Sequence, residues 1–226
     1  MDVHTPKPVH SWRDFLVEIG TIVIGVPIAL AGEQIVEALH WRNVVDAQRQ
    51  ILRSGGEDNR GAGKACAVQQ TCVDARLAQL KTVFERHAAG EPLRMKGPVG
   101  RPQNSSIGDE IWRLAVQSEA LNHMPLDERA AFAGAFSNYT NLLTLRDDAD
   151  RSWIDLAALD TPELLETGDW VLLRHAYAQL LAKEARIKQV NEYVLQTQTA
   201  GVPVPNVTLK DALVAGYARN LCKPLI

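Results

Sequence analysis

The N-terminal part of the chain holds a run of apolar residues that no later segment matches. Fourteen residues, Ile19–Gly32 (IGTIVIGVPIALAG), carry no charge, and apolar residues continue on both sides between Trp12 and Trp41. A membrane-spanning helix needs roughly 20 mainly apolar residues, and tryptophans favour the two interfaces of a bilayer. We therefore predict a single transmembrane anchor helix over residues 12–41, preceded by an N-terminal tail of residues 1–11.

Two other interpretations of this segment stay open. Ala29-Leu30-Ala31 fits the A-x-A pattern of a signal peptide cleaved before Gly32, which would make the protein a secreted one. However, the residues before the run carry three acids as well as two basic residues, where a signal peptide is net positive. The alternative of a buried helix in a soluble domain would tolerate Gly20, Gly25 and Pro27 poorly.

Small residues define one face of the predicted anchor. Thr21, Gly25 and Ala29 follow each other at i, i+4 and i+8. In lipid, such faces let two helices approach closely, although small residues are also common in membrane helices without this role. The face predicts self-association or contact with another membrane protein, in addition to contact with membrane lipid.

The three cysteines bear on the compartment, which charge does not settle because basic residues lie on both sides of the apolar run. Cys66, Cys72 and Cys222 match no zinc or redox spacing. On one continuous helix Cys66 and Cys72 would point about 240° apart, so they could not bond to each other. A disulfide from Cys222 to Cys72 or to Cys66 would require an oxidising compartment, and three buried thiols are the alternative.

After the anchor, hydrophobic positions recur with helical spacing, and no stretch alternates as a strand does. We expect the anchor helix to continue past Trp41 until the glycines Gly55-Gly56 break it. A loop rich in Pro and Gly follows at 90–105, and a stiff linker at 201–205. Further helices are predicted over about 63–89, 105–123, 126–158 and 167–199, with a short final helix from the N-cap Thr208 to about Cys222.

Helices of this kind bury their apolar stripes against each other. The predicted fold class is therefore all-α, with a single N-terminal transmembrane helix followed by an antiparallel helical bundle over residues 42–226. We expect about four long helices in it.

Composition narrows the class of protein without identifying an activity. The 226 residues are 46% hydrophobic and 23% charged, with a net charge of −3. Nucleic-acid binders normally show a strong basic excess, so no nucleic acid is expected as a partner.

Known signatures of catalysis or metal binding are missing from the sequence. Gly55–Lys64 (GGEDNRGAGK) resembles a phosphate loop, but Asp58 and Ala65 replace the required Gly and Ser/Thr. We predict a flexible turn between helices there. The acidic run from Asp147 to Asp155 lacks the Gly and Glu of a calcium loop, and the six histidines form no ligand pair. We predict no catalytic, cofactor-binding or metal-binding residues, and the protein is expected not to be an enzyme.

The chain resembles a group of small membrane proteins, mostly from alphaproteobacteria, that have no established activity. The resemblance lies in the stretch from His10 to Arg42 and, further on, in Cys72 with Arg76-Leu77, Gly100-Arg101-Pro102, Trp112, His123–Leu126 with Glu128-Arg129, and Trp153. It implies an uncleaved anchor in the bacterial inner membrane, with the helical domain on the periplasmic side. Pro27 and the pair Gly55-Gly56 depart from the group, which places a rigid continuation of the anchor helix in doubt.

Two functional hypotheses follow. The first is a non-enzymatic accessory or interaction protein, a subunit or partner of a larger inner-membrane complex. The second is a small-molecule sensor or enzyme with a site between bundle helices. Its candidate residues are the polar and aromatic members of the resembling motifs, Arg101, Trp112, His123 and Arg129. The alternative is that His123 and Arg129 cap and pair helix ends.

Overall fold

The computed structural model describes residues 11–103, 108–196, 205–214 and 216–226, and these contain helices and no strand. The all-α prediction is confirmed. The α-helices are α1 (Trp12–Ala88), α2 (Glu110–Val116), α3 (Leu126–Leu156), α4 (Thr167–Gln196), α5 (Leu209–Ala212) and α6 (Gly216–Leu221), and short 3₁₀ helices lie at Glu119–His123, Ala157–Asp160 and Pro162–Leu164.

The chain divides into two compact units, Met1–Ala47 and Gln48–Ile226. In the first unit the described residues belong to α1, which begins after Ser11. The Ser11 hydroxyl accepts the backbone N–H of Arg13 at 3.1 Å, as an N-cap does. Pro27 lies inside the helix without ending it, because the neighbouring turns keep their own hydrogen bonds when one backbone donor is lost.

The second unit is a bundle of three long helical segments: the α1 residues that follow Ala47, then α3 and α4. The Tyr139 hydroxyl of α3 contacts the carbonyl oxygen of Gly56, and Arg49 pairs with Glu128, so α1 and α3 run in the same direction. Helix α4 runs opposite to both, because Tyr177 contacts Leu77 whereas Asn191, further along α4, contacts Gly63, earlier on α1.

The predicted break at Gly55-Gly56 is wrong, and so are the separate helix from 63 and the flexible turn between them. Both glycines lie buried inside α1. A Cβ atom on Gly55 would lie 2.6 Å from Cδ1 of Ile111, and one on Gly63 would lie 2.9 Å from Oδ1 of Asn191. These glycines provide room for close packing, which outweighs their low helix propensity of about 1 kcal/mol each. The bundle consequently has three long helices rather than four.

Helix α1 ends where the sequence predicts. Gly90 adopts a left-handed φ of 71°, a conformation that glycine takes without strain. Its N–H donates to the carbonyl oxygen of His87, and the N–H of Glu91 donates to that of Arg86. This pair of bonds is a Schellman motif.

A crossover segment, defined here as residues 91–103 and 108–109, returns along α1 and allows α3 to run parallel to it. Two amide side chains of α1, both buried, each form a pair of hydrogen bonds with the backbone of the crossover segment, as a neighbouring β-strand does. Gln69 Oε1 accepts the N–H of Gln103 at 2.8 Å and its Nε2 donates to the Gln103 carbonyl at 3.2 Å. Asn59 makes the equivalent pair with Gly108 at 2.9 and 2.8 Å. These bonds satisfy backbone groups that have no regular partner.

The helix predicted to reach residue 123 is wrong in its extent, since α2 ends at Val116 and a separate 3₁₀ helix covers Glu119–His123. The other predicted elements are close to the observed ones. Helices α3 and α4 begin at the predicted residues Leu126 and Thr167. The last helix is split into α5 and α6, and Thr208 caps α5 with Asp211 in a reciprocal capping box. The predicted start of the third helix near Ser105 and most of the linker at 201–205 lie outside the described residues.

Candidate functional site

The apolar segment of α1 is the first candidate, because its surface is unlike that of a folded domain. Its most apolar 18-residue window is 0% buried, and α1 is long and apolar enough to cross a membrane. Its large side chains are exposed, for example Ile24 at 64% and Ile28 at 66%. Soluble monomers rarely expose a continuous apolar patch larger than a few hundred Å², so these residues suit a nonpolar surrounding.

The predicted packing face lies within this segment and is open. Gly25 has no atom within 4 Å of the position that a Cβ would occupy. The Thr21 hydroxyl donates to the carbonyl oxygen of Val17 at 2.8 Å, so it is satisfied within its own helix. Ala29 is exposed like its neighbours.

The four residues of the predicted polar site do not come together. Arg101 pairs with Asp150, whereas Arg129 donates to the carbonyl oxygen of Leu121. Asp150 and Arg129 are 21 residues apart on α3, or about 31 Å along a helix. A single pocket cannot contain both arginines.

Trp112 and His123 lie on other elements. The Trp112 ring stacks on that of Phe136 with their centroids 6.0 Å apart. His123 is exposed at the end of a 3₁₀ helix. Trp112 and Arg129 share an open surface groove, which Val116 and Leu126 also line. The bond from Arg129 to the Leu121 carbonyl connects the start of α3 to the 3₁₀ helix that precedes it.

A polar cluster that the sequence did not indicate lies inside the bundle around Glu184. The carboxylate is 5% exposed, and its Oε1 accepts the indole N–H of Trp153 at 2.7 Å. Burial raises the pKa of Glu184 to about 7. The hydrogen bond from Trp153 and the positive charge of Arg146 oppose this rise, whereas the negative charge of Asp74 adds to it. Near neutral pH this carboxyl group therefore gains and loses a proton.

The cavity beside Glu184 is small. It is lined by Cys66, Gln69, Arg146, Trp153 and other residues of α1, α3 and α4, and it encloses about 20 Å³. That volume has room for about one water molecule, and a metabolite does not fit. Burial also raises the pKa of the Cys66 thiol, and the charge of Arg146 opposes this rise without cancelling it. The thiol therefore stays protonated and is a weak nucleophile.

The cysteines are placed as follows. Cys72 on α1 and Cys222 after α6 form a disulfide that joins residues 150 positions apart in sequence. Cys66 is free and partly buried. The bond holds the C-terminal segment, defined here as residues 216–226, against α1.

A buried arginine accompanies the disulfide. Arg76 is 0% exposed, and its Nη2 donates to the carbonyl oxygens of Asn220, Leu221 and Lys223 at 2.6, 3.2 and 2.7 Å. Burial lowers the pKa of Arg76 to about 10, and Asp160 opposes the shift. The guanidinium is thus still charged at neutral pH and caps the end of α6.

Sequence inspection missed these polar residues because it took the interior face of α1 to be apolar. A signal is present in hindsight: Gln69 and Arg76 precede Val73 and Leu80 by four residues each, so they lie in phase with the buried stripe. In the chain as described, no group of three or more His, Cys, Asp or Glu side chains is arranged to hold a metal ion. In comparisons with protein-family models, curated proteins and solved structures, nothing matches this chain.

Proposed function

We propose that the protein is a single-pass membrane protein of the bacterial inner membrane, whose bundle acts as a non-enzymatic accessory or interaction domain. The observation that carries the proposal is that no residue in the most apolar part of α1 is buried. Lipid is the surrounding that stabilises such a surface, since each buried apolar Å² contributes about 25 cal/mol.

The periplasmic side is proposed for the bundle because of its disulfide. Cys72–Cys222 needs an oxidising compartment, and the bacterial periplasm is one. The resemblance to anchored alphaproteobacterial proteins supports the same placement.

A partner in the membrane is proposed for the face formed by Thr21, Gly25 and Ala29. The open space around Gly25 leaves its backbone accessible to a second helix. The occupant is a second copy of this helix or a helix of another membrane protein, and cross-linking in mild detergent distinguishes the two by mass. A chain that stays monomeric after cross-linking, with nothing attached, contradicts the interaction role.

The anchor is tested by the double substitution Ile24→Arg with Ile28→Arg. Each arginine at the centre of a spanning helix costs about 3 kcal/mol. We expect the unmodified chain to stay in the membrane fraction after carbonate washing and the double variant to leave it. The matched control is Val171→Arg with Leu172→Arg on α4, where both side chains are equally exposed, and this control should remain in the membrane.

Two measurements on the same samples separate the alternatives. Protease added to spheroplasts should digest the bundle if it is periplasmic and leave it intact if it is cytoplasmic. The intact mass of the mature protein shows whether the chain begins near Met1, as an anchor requires, or at Gly32, as a cleaved signal peptide requires.

A further inference from the structure

The C-terminal segment is docked on α1 by burial as well as by the disulfide. Ala218, Leu221 and Leu225 are 0%, 1% and 0% exposed. The N–H of Leu225 donates to Oε1 of Gln79 at 2.6 Å, and its carbonyl oxygen accepts the N–H of Lys96 at 2.8 Å. The segment is therefore packed like part of the core.

Arg76 makes partial docking of the C-terminal segment unfavourable. The only hydrogen bonds of its guanidinium within the described residues go to carbonyl oxygens of the C-terminal segment, and its Nε and Nη1 have no partner there. A buried cation without acceptors is strongly unfavourable. If the segment leaves, water must reach Arg76, so a half-docked state is unstable.

The disulfide is open to attack from solution, because Cys222 is exposed and Cys72 is partly so. We propose that Cys72–Cys222 is a redox latch, and that its reduction by a dithiol releases residues 216–226 from α1. One thiolate of the dithiol attacks one cysteine sulfur, forms a mixed disulfide with it and releases the other cysteine as a thiolate. The second thiolate of the dithiol then attacks the dithiol sulfur of the mixed disulfide and releases the remaining cysteine. The dithiol leaves as a disulfide, and the chain gains two thiols, which corresponds to two electrons and two protons.

Release follows because docking without the covalent bond depends on few contacts. Ordering eleven residues is unfavourable, and only three buried apolar side chains and five hydrogen bonds oppose that cost. The disulfide favours docking by keeping the segment at high effective concentration beside α1. This inference does not depend on the membrane anchor.

Hydrogen–deuterium exchange of the full-length protein in detergent tests the latch. Reductant is added to the folded, oxidised protein, so the result does not require a cysteine variant to fold. On reduction we expect backbone amides of residues 218–226 to exchange at least about tenfold faster, while those of α3 change less than about twofold.

The background for this experiment is Cys66→Ser, which removes the free thiol and prevents disulfide exchange with it. In the oxidised state this variant should match the unmodified chain. Equal protection of the segment before and after reduction would overturn the latch, since docking would then be independent of the bond. Equal loss of protection across α3 and α4 would overturn it too, because the disulfide would then stabilise the whole bundle.

Discussion

The two parts of α1 differ in what they bury. Between Trp12 and His40 the helix contains the most apolar stretch of the chain, and its side chains are exposed. After it, the same helix buries Asn59, Gln69 and Arg76 at 4%, 1% and 0% exposure. Hydropathy alone therefore does not identify the buried residues of this helix. Its second part buries apolar residues such as Leu80 and Val83, and the polar residues buried among them pair with backbone groups of other segments.

The glycines of α1 show the same contrast at the scale of single residues. At Gly25 nothing lies within 4 Å of the position that a Cβ atom would take, while at Gly63 that position lies 2.9 Å from Oδ1 of Asn191 and 3.5 Å from Cδ2 of Leu195. Gly25 leaves space for a neighbour outside the chain. Gly63 already has its neighbour, helix α4.

The largest effect is expected from Gly63→Leu compared with Gly25→Leu. At Gly63 the added side chain must displace Asn191, whose Nδ2 donates to the Gly63 carbonyl at 3.0 Å. Overpacking together with the lost hydrogen bond should lower the free energy of unfolding by roughly 4 kcal/mol. Urea unfolding of the full chain in detergent measures this loss in the free energy of unfolding.

Gly25→Leu serves as the matched control on the same helix. It should leave the free energy of unfolding unchanged and reduce cross-linked dimers or partner complexes instead, since it fills the face that a second helix would use. Equal destabilisation by both substitutions would erase the distinction between the two parts of α1.

A somewhat smaller effect, with a defined pH dependence, is expected at Glu184. Because burial raises its pKa from 4.5 to about 7, the folded state favours the protonated form. Its contribution to stability is complete below pH 4.5 and is lost as the pH rises through about 7. This shift in pKa corresponds to a change of about 3 kcal/mol in the free energy of unfolding between low and high pH.

Glu184→Gln keeps an oxygen for the Trp153 indole and removes the titration. We expect this variant to be more stable than the unmodified chain at pH 8, and the two to converge near pH 5. Glu192→Gln, an exposed position on the same helix, is the control and should follow the unmodified chain. A pH profile that Glu184→Gln does not flatten would assign the titration to another group.

The sequence predicts the ends of the bundle helices well because local chemistry sets them. Gly90 ends α1, Pro125 precedes α3, and Thr208 caps α5, each through contacts within a few residues. The run Gly55–Lys64 departs from its prediction because its glycines make room for residues that are distant in sequence, Ile111 at Gly55, Pro205 at Gly61 and Asn191 at Gly63. Long-range packing overrides helix propensity here.

The polar interior could not be predicted for a related reason. A glutamine in phase with an apolar stripe signals a buried polar residue, but its partner lies on an irregular segment whose path no periodicity encodes. Gln69 accepts the backbone N–H of Gln103, and Glu184 accepts the indole N–H of Trp153, which is 31 residues away in sequence. The predicted set Arg101, Trp112, His123 and Arg129 relied on neighbouring turns in the sequence, but Arg101 pairs with Asp150, 21 residues along α3 from Arg129.

The smallest effect, Gln69→Leu against Gln70→Leu, tests whether polar burial in the second part of α1 has the role described. These adjacent glutamines differ in what they contact: Gln69 pairs with the backbone of Gln103, and Gln70 makes one exposed bond to Asp74. Leucine at 69 is more apolar, so a rule based on hydropathy predicts stabilisation. We expect a loss of about 2 kcal/mol in the free energy of unfolding instead, because the N–H and carbonyl of Gln103 lose Gln69 as a partner. Leucine at 70 should change stability by less than about 0.5 kcal/mol. Faster amide exchange at residues 99–103 in the Gln69→Leu variant alone would locate the loss in the crossover segment. A Gln69→Leu variant that is more stable than the unmodified chain would instead mean that hydropathy alone decides burial in both parts of α1.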